Sequence, residues 1–235
     1  MLRTPRMSRP PYPPVEPPQV AVRFPEPVPG EDVVAMSRTM SPALVLAAVR
    51  LGIFPWPVRQ GVVPWSSPDP RAIFPLEKPG PWPRTVRRAQ KAGFTVTFDR
   101  DFPGVLRACG DERAEGTWIT PDIISTYGEL HRLGWAHSCE VWRDGALAGG
   151  LYGVAIGTLF AGESMFHRET GASKVAFAAM ADRLRERAFE LFDVQVLTDH
   201  LASLGCIEVP RAEYRRRVFV AVTRQARFGD AGSTC

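Results

Sequence analysis

The order of segments along this 235-residue chain predicts an α+β fold, with a small N-terminal α+β domain followed by a mixed α/β domain. Three observations carry that expectation. Ser41-Pro42 followed by ALVLAAVRLG is a helix opening with an N-cap residue and proline at the first helical position. Asp144-Gly145 between two runs of strand formers is a hairpin signal. A long helical run over 172–189, followed by the alternating stretch 192–197, supplies a helix-to-strand unit in the second half.

Residues 1–29 contain ten prolines and few large apolar side chains. Such a segment cannot bury enough surface to offset its ordering entropy, so residues 1–30 are expected to be a disordered, polyproline-like extension. The helix opened by Ser41 ends at Gly52. The stretch IFPWPVRQGVVPWSSPDPRAIF, rich in proline and turn dipeptides, predicts short strands and loops. A short helix over 84–92 stops at Gly93, FTVTF over 94–98 is a strand, and helices follow over 101–109 and 122–133. Strands over 138–142 and 146–155 flank the Asp144-Gly145 turn, and a further strand begins at Thr158. After the strand 192–197 come a short turn over 200–204 and a last helix from about Pro210. The expected domains are 31–110, 111–225 and a tail over 226–235.

Composition narrows the function classes. Apolar residues make up 45% and charged residues 23%, a globular balance, and no apolar run is long enough to span a bilayer. No membrane partner is therefore expected. The N-terminus has Arg3 and Arg6 but no apolar core of a secretory signal. Cys109, Cys139, Cys206 and Cys235 lie far apart with no CxxC pair, which argues against a zinc knuckle or disulfide framework and for a reducing compartment. The four histidines show no ligand spacing either, so neither a metal nor a cofactor is expected.

Four groups of residues could carry chemistry. Arg84, Arg87, Arg88 and Lys91 fall on one helical face with no acid among them, which suits a solvated face or a phosphate-tracking patch. Trp56, Trp65 and Trp118 sit in loop-like sequence, where they could be core or a stacking platform for a base. The stretch FAGESMFHRETGASK combines Phe160, Met165 and Phe166 with Glu163 and follows a glycine-dense strand; glycine there marks a bulge or a close backbone approach. In LFDVQVLTDH, Asp193 and Gln195 share one face of a strand whose other face is Phe192, Val194 and Val196. Such a polar pair is either a satisfied buried network or a site carboxylate with an orienting amide.

Taken together, IFPW, WSSPDPR, GTWIT, LGWAHSCEVW, GGLYGV, LFAGESMF, ASK and DVQVLTDHLASLG resemble, in order and spacing, the bacterial leucyl/phenylalanyl-tRNA–protein transferases over roughly residues 41–217. The resemblance implies an acetyltransferase-like (GNAT-type) second domain. It also implies a cytoplasmic enzyme that moves leucine or phenylalanine, and weakly methionine, from aminoacyl-tRNA to the N-terminal α-amine of proteins starting with arginine or lysine. The product would be marked for N-degron proteolysis. No acetyl-CoA pyrophosphate loop is found, consistent with tRNA as the acyl carrier.

Roles follow from the same resemblance. Trp56 and Trp118 match positions near the terminal adenosine, and Leu151, Phe160, Met165, Leu184 and Phe192 fall where the family builds its aminoacyl pocket. Arg84, Arg87, Arg88 and Lys91 fall where it holds the acceptor stem, and Glu163, Asp193 and Gln195 match the polar centre of the site. The expected mechanism has Gln195 orient the amine and Asp193 supply the charge, with Glu163 binding an amino group or the acceptor's cationic side chain. Departures occur at AMSRTM, where a glycine-rich turn is usual, at SMFH, where His167 replaces a small polar residue, and at Leu151, where methionine is frequent. They motivate a competing expectation: a catalytically silent tRNA- or RNA-binding protein on the same scaffold. An acetyltransferase-like enzyme with another acyl donor is a third, disfavoured by the missing phosphate loop.

Overall fold

The structure, a computed structural model, describes residues 10–56, 61–77, 81–111 and 119–229. In chain order its elements are β1 (Val33–Ser37), α1 (Pro42–Val49), β2 (Phe54–Pro55), β3 (Val63–Ser66), β4 (Arg71–Phe74), α2 (Arg84–Gln90), β5 (Thr95–Phe98), α3 (Phe102–Asp111), α4 (Pro121–Arg132), β6 (Ala136–Arg143), β7 (Ala146–Ile156), β8 (Leu159–His167), α5 (Ala172–Glu186), β9 (Leu191–Gln195), α6 (Asp199–Ser203), β10 (Ile207–Val209) and α7 (Arg211–Ala221). This is a mixed α/β arrangement, in line with the expected α+β class.

Local chemistry explains the boundaries. Ser41 caps α1, its hydroxyl accepting from the Leu44 N–H at 3.3 Å, and Thr120 caps α4 in the same way through the Ile123 N–H. Each cap is followed by proline, whose fixed φ suits the first helical turn. Gly52, at φ +77°, ends α1 in a left-handed conformation that a side chain disfavours. Asp144 and Gly145, at φ +50° and +78°, form the two-residue turn that joins β6 to β7.

Two sheets result. A three-stranded sheet runs β1-β3-β2, and a seven-stranded sheet runs β10-β4-β9-β8-β7-β6-β5. All pairs in the large sheet are antiparallel except β8 with β9. One face packs on α1, α3, α4 and α7 through residues such as Val45, Phe102, Tyr127 and Tyr214; the other packs on α2 and α5 through Val86, Phe177 and Met180.

Two features differ from the sequence expectation. The boundary expected near residue 110 is not a break in the sheet, because β4 and β5 pair with β9 and β6. The proline-rich segment over 10–30 has no helix or strand and is mostly exposed, but it is fastened to the body at several points. The Val15 N–H donates to the Leu133 carbonyl and the Trp135 indole donates to the Val15 carbonyl, both at 2.8 Å. Phe24 meets the edge of Trp65 at 5.4 Å, and the buried Arg211 donates to the carbonyls of Val28 and Glu31. The chain end is likewise anchored at Phe228, which stacks on His137 at 4.2 Å.

The β7–β8 ladder carries an irregularity between Tyr152 and Gly153, where Tyr152 faces Ser164 and Gly153 faces Gly162. Glu163 is the extra residue of this bulge, a device that re-aims a side chain. A Cβ at Gly153 would stand 2.3 Å from the Ala161 carbonyl and 2.7 Å from the Phe160 ring. Gly153→Ala should therefore destabilise the protein by about 1–3 kcal/mol, the ordinary cost of overpacking, readable as a lower urea midpoint.

Candidate functional site

The β8–β9 pairing extends from Leu159↔Leu191 to Ala161↔Asp193 and stops there, while β8 runs on to His167. The wedge left between the two strands holds a cavity of about 350 Å³. Its apolar wall is built by Leu151 of β7, Met165 of β8, Phe177 of α5, Phe192 and Val194 of β9, and Leu201 of α6. Glu163, Gln195, Thr198 and His200 supply polar groups, and Trp56, 42% exposed, stands at the rim.

The strand carrying LFDVQ alternates only as far as Val194. Phe192 lines the cavity, whereas Asp193 turns to the opposite face, toward Tyr214 of α7. Gln195 would follow Asp193 in a regular strand, but its φ is +68° and the Val196 N–H reaches back to the Val194 carbonyl at 2.9 Å. That is a γ-turn centred on Gln195, a conformation side chains adopt only when it is held. The turn brings Gln195 to the cavity, where its Nε2 donates to Glu163 Oε2 at 3.2 Å.

Asp193 is 1% exposed and its acceptor capacity is filled. Oδ1 accepts from Arg71 Nε at 2.8 Å and from the Gln195 N–H at 2.9 Å; Oδ2 accepts from Arg71 Nη2 at 2.6 Å and the Tyr214 hydroxyl at 2.8 Å. A carboxylate offers about four lone-pair sites, so none is left for a substrate amine. Asp193 therefore has no direct contact to offer a substrate amine: its charge is paired with Arg71, it does not line the cavity, and it meets Gln195 through the backbone N–H.

Glu163 has the opposite circumstances. It lines the cavity, and its Oε1 has no hydrogen-bond partner among the described residues. Burial pushes its carboxyl up from 4.5 to about 7, opposed by Tyr127 and by the Gln195 hydrogen bond, which favour the charged form. The Tyr127 hydroxyl stands close enough to bias the titration yet outside hydrogen-bonding geometry. Burial, and then the charge of Glu163, raise the Tyr127 phenol well above its usual range, so it stays protonated.

Other expected residues divide. Trp56, Leu151, Met165, Phe192, Glu163 and Gln195 come together at one cavity. Phe160 and Leu184 do not line it. Both are fully buried, Phe160 between the rings of Phe192 and Phe228 at 5.6 and 5.9 Å and Leu184 in the core beneath α5. Trp118 lies outside the described residues. Arg84, Arg87, Arg88 and Lys91 sit on the exposed side of α2 and its C-cap, while Val86 and Ala89 bury the other side; none of the four pairs with a described acid. Sequence reasoning missed Phe177 and Leu201 in the wall and Arg71 and Tyr214 behind Asp193. Arg71 stands within the quoted WSSPDPR, but nothing local marks its partner. Among the described residues no group of His, Cys, Asp and Glu could hold a metal ion, and no helix is long and apolar enough to cross a membrane.

Residues 74–219 match the family model described as leucyl/phenylalanyl-tRNA protein transferase. A leucyl/phenylalanyl-tRNA–protein transferase of Ruegeria pomeroyi is 49% identical over 192 residues, covering 81% of this chain and 90% of its own. Its counterpart in Cereibacter sphaeroides is 48% identical over 195 residues, covering 82% and 90%. That of Escherichia coli O1:K1 is 44% identical over 189 residues, covering 77% and 78%.

Proposed function

The chain belongs to the leucyl/phenylalanyl-tRNA protein transferase family and is an aminoacyltransferase, and from that premise we propose that it moves leucine or phenylalanine from aminoacyl-tRNA to the N-terminal α-amine of proteins beginning with arginine or lysine. The modified protein would then be a substrate for N-degron proteolysis. The observation that supports this reading best is the apolar cavity of about 350 Å³ with the Glu163–Gln195 pair in its wall. The volume lies within the range of about 300–1,000 Å³ usual for small-ligand sites.

In this reading the leucyl or phenylalanyl side chain enters between Leu151, Met165, Phe177 and Phe192, and the terminal adenosine lies toward Trp56. The acceptor amine attacks the ester carbonyl carbon. A C–N bond forms, the C–O bond to the ribose breaks, the nitrogen loses a proton and the ribose oxygen gains one. Because the ester is already activated, positioning the amine against the carbonyl is the main task. Gln195 holds one oxygen of Glu163, whose other oxygen has no hydrogen-bond partner among the described residues. Glu163 is then the group that accepts the amine's proton, its pKa of about 7 being matched to that transfer. An apolar wall separates side chains by only about 1–3 kcal/mol per methylene, so some methionine is transferred as well.

The deciding assay mixes the purified protein, radiolabelled leucyl-tRNA and peptides beginning with lysine, arginine or alanine. Label on the first two alone supports the reading. Retained tRNA binding with no labelled peptide would replace it with a silent tRNA-binding protein. Arg84, Arg87 and Arg88 of α2 and Lys91 at its C-cap are assigned to the acceptor stem. Arg87→Gln with Arg88→Gln should raise the KM for leucyl-tRNA and flatten its salt dependence, the slope falling by about one for each phosphate that is no longer neutralised. An unchanged KM at low salt would remove the helix from the tRNA path.

A further inference from the structure

We propose that Arg71 is a positioning residue for aminoacyl transfer: by gripping Asp193 it fixes the γ-turn that aims the Gln195 side chain at Glu163. The proposal rests on the reading of Glu163 and Gln195 given above and extends it to a residue that touches neither substrate nor cavity.

Three layers of structure support it. The innermost is the turn. A left-handed φ at a residue with a side chain is unfavourable, and at Gln195 it is held by the Asp193 carboxylate, which accepts the Gln195 N–H at 2.9 Å. Next is Asp193, seated by the planar guanidinium fork of Arg71 at 2.8 and 2.6 Å and by the Tyr214 hydroxyl at 2.8 Å. The outermost is Arg71, 1% exposed and clasped between the rings of Phe54 and Tyr214, whose centroids lie 4.5 and 4.4 Å from its guanidinium carbon. Its Nη1 donates to the Gly52 carbonyl at 3.2 Å, so every part of the fork is located. Burial alone would weaken the guanidinium's charge; the Asp193 carboxylate outweighs it and raises Arg71 above its ordinary value.

The strand register adds a fourth observation. β4 and β9 pair Ile73 with Asp193 but Ala72 with Gln195, so β9 carries an extra residue at Val194 immediately before the turn. The ladder leaves this point loosely specified, and the Arg71–Asp193 bond spans it. An apolar pair of similar volume would hold β4 to β9 at least as well as a buried ion pair does. It would offer no acceptor to the Gln195 N–H. The ion pair thus makes sense as a support for the turn rather than for the sheet.

A double-mutant cycle tests this with the full-length protein. Leucyl transfer from leucyl-tRNA to a lysine-initiated peptide is measured for the wild type, Arg71→Lys, Gln195→Ala and the double variant, alongside thermal unfolding. Lysine keeps the charge but not the fork. We expect kcat to fall on the order of 10–100-fold in Arg71→Lys with little change in the KM for leucyl-tRNA. In the Gln195→Ala background the same substitution should change kcat very little. Should Arg71→Lys fail to fold, Tyr214→Phe, which removes one of the four bonds to Asp193 and keeps the ring, replaces it with the same expected non-additivity. A folded variant with unaltered kcat, a defect in KM alone, or an equal fall in both backgrounds would overturn the assignment. Wild-type protein that transfers no leucine would instead sink the functional reading beneath it.

Discussion

Glu163→Gln should lose transfer by on the order of 10²–10⁴, the usual contribution of a positioned acid or base, and should lose one limb of the pH profile. In the wild type, burial holds the Glu163 carboxyl at about 7. The free α-amine of an acceptor titrates near about 7.7–8.0. The wild-type rate at saturating leucyl-tRNA should therefore rise through two steps, and that of the variant through the amine's step alone. A variant that keeps both steps would remove Glu163 from the proton's path. Stability should move the other way. A carboxyl whose folded pKa is raised from 4.5 to about 7 contributes stability that is complete below pH 4.5 and lost as pH rises to about 7. At about 1.4 kcal/mol per tenfold change in proton affinity, the loss is about 3 kcal/mol. Glutamine carries no such charge, so the variant should exceed the wild type in unfolding free energy at pH 8, with the gap closing toward pH 4.5. Urea titrations at the two pH values check it, and the result is independent of any assay of transfer.

What the sequence could disclose depends on how far apart in the chain the cause lies. The start of α1 was legible because the cap, the proline and the helix are neighbours; α4 was expected only from Asp122, although Thr120 and Pro121 open it in the same way. The β6–β7 hairpin was legible for the same reason, its turn residues being adjacent. The apolar wall was partly anticipated, through the family resemblance alone, at Leu151, at Met165 of β8 and at Phe192. Phe160 belongs to β8 as well, but the Phe192 and Phe228 rings enclose it in the core. The polar centre misled for a physical reason. A strict two-residue period puts Asp193 and Gln195 on one face, whereas the left-handed turn at Gln195 and the bulge at Glu163 each break that period once. These two irregularities are what bring Glu163 and Gln195 together. Arg71 lies 122 residues from Asp193 in the chain, and no local pattern announces such a partner. The same holds for β4 and β5, whose places in the large sheet are set by strands that follow much later.

Asp193→Ala should be among the most damaging single substitutions in the protein, for the fold before the chemistry. It leaves the Arg71 guanidinium, 1% exposed, without its counter-ion, and breaking a buried pair from one side costs about 3–5 kcal/mol. Domains are stable by only about 5–15 kcal/mol in total, so lost transfer in this variant alone would not distinguish a reactive carboxylate from a supporting one. Removing the whole cluster does. In Arg71→Met with Asp193→Leu and Tyr214→Phe no charge or hydroxyl is left unpaired, and replacing a buried pair by apolar groups is commonly neutral or stabilising by about 1–4 kcal/mol. The triple variant should recover most of the stability that Asp193→Ala loses, measured by urea unfolding at pH 7. Transfer should stay lost, because the Gln195 N–H has no acceptor and the turn that presents its side chain to Glu163 relaxes. Recovery of both stability and transfer would show that the turn stands without the cluster. A single Asp193→Ala variant as stable as the wild type yet inactive would return Asp193 to the chemistry, since only a carboxylate not needed by Arg71 could be removed so cheaply.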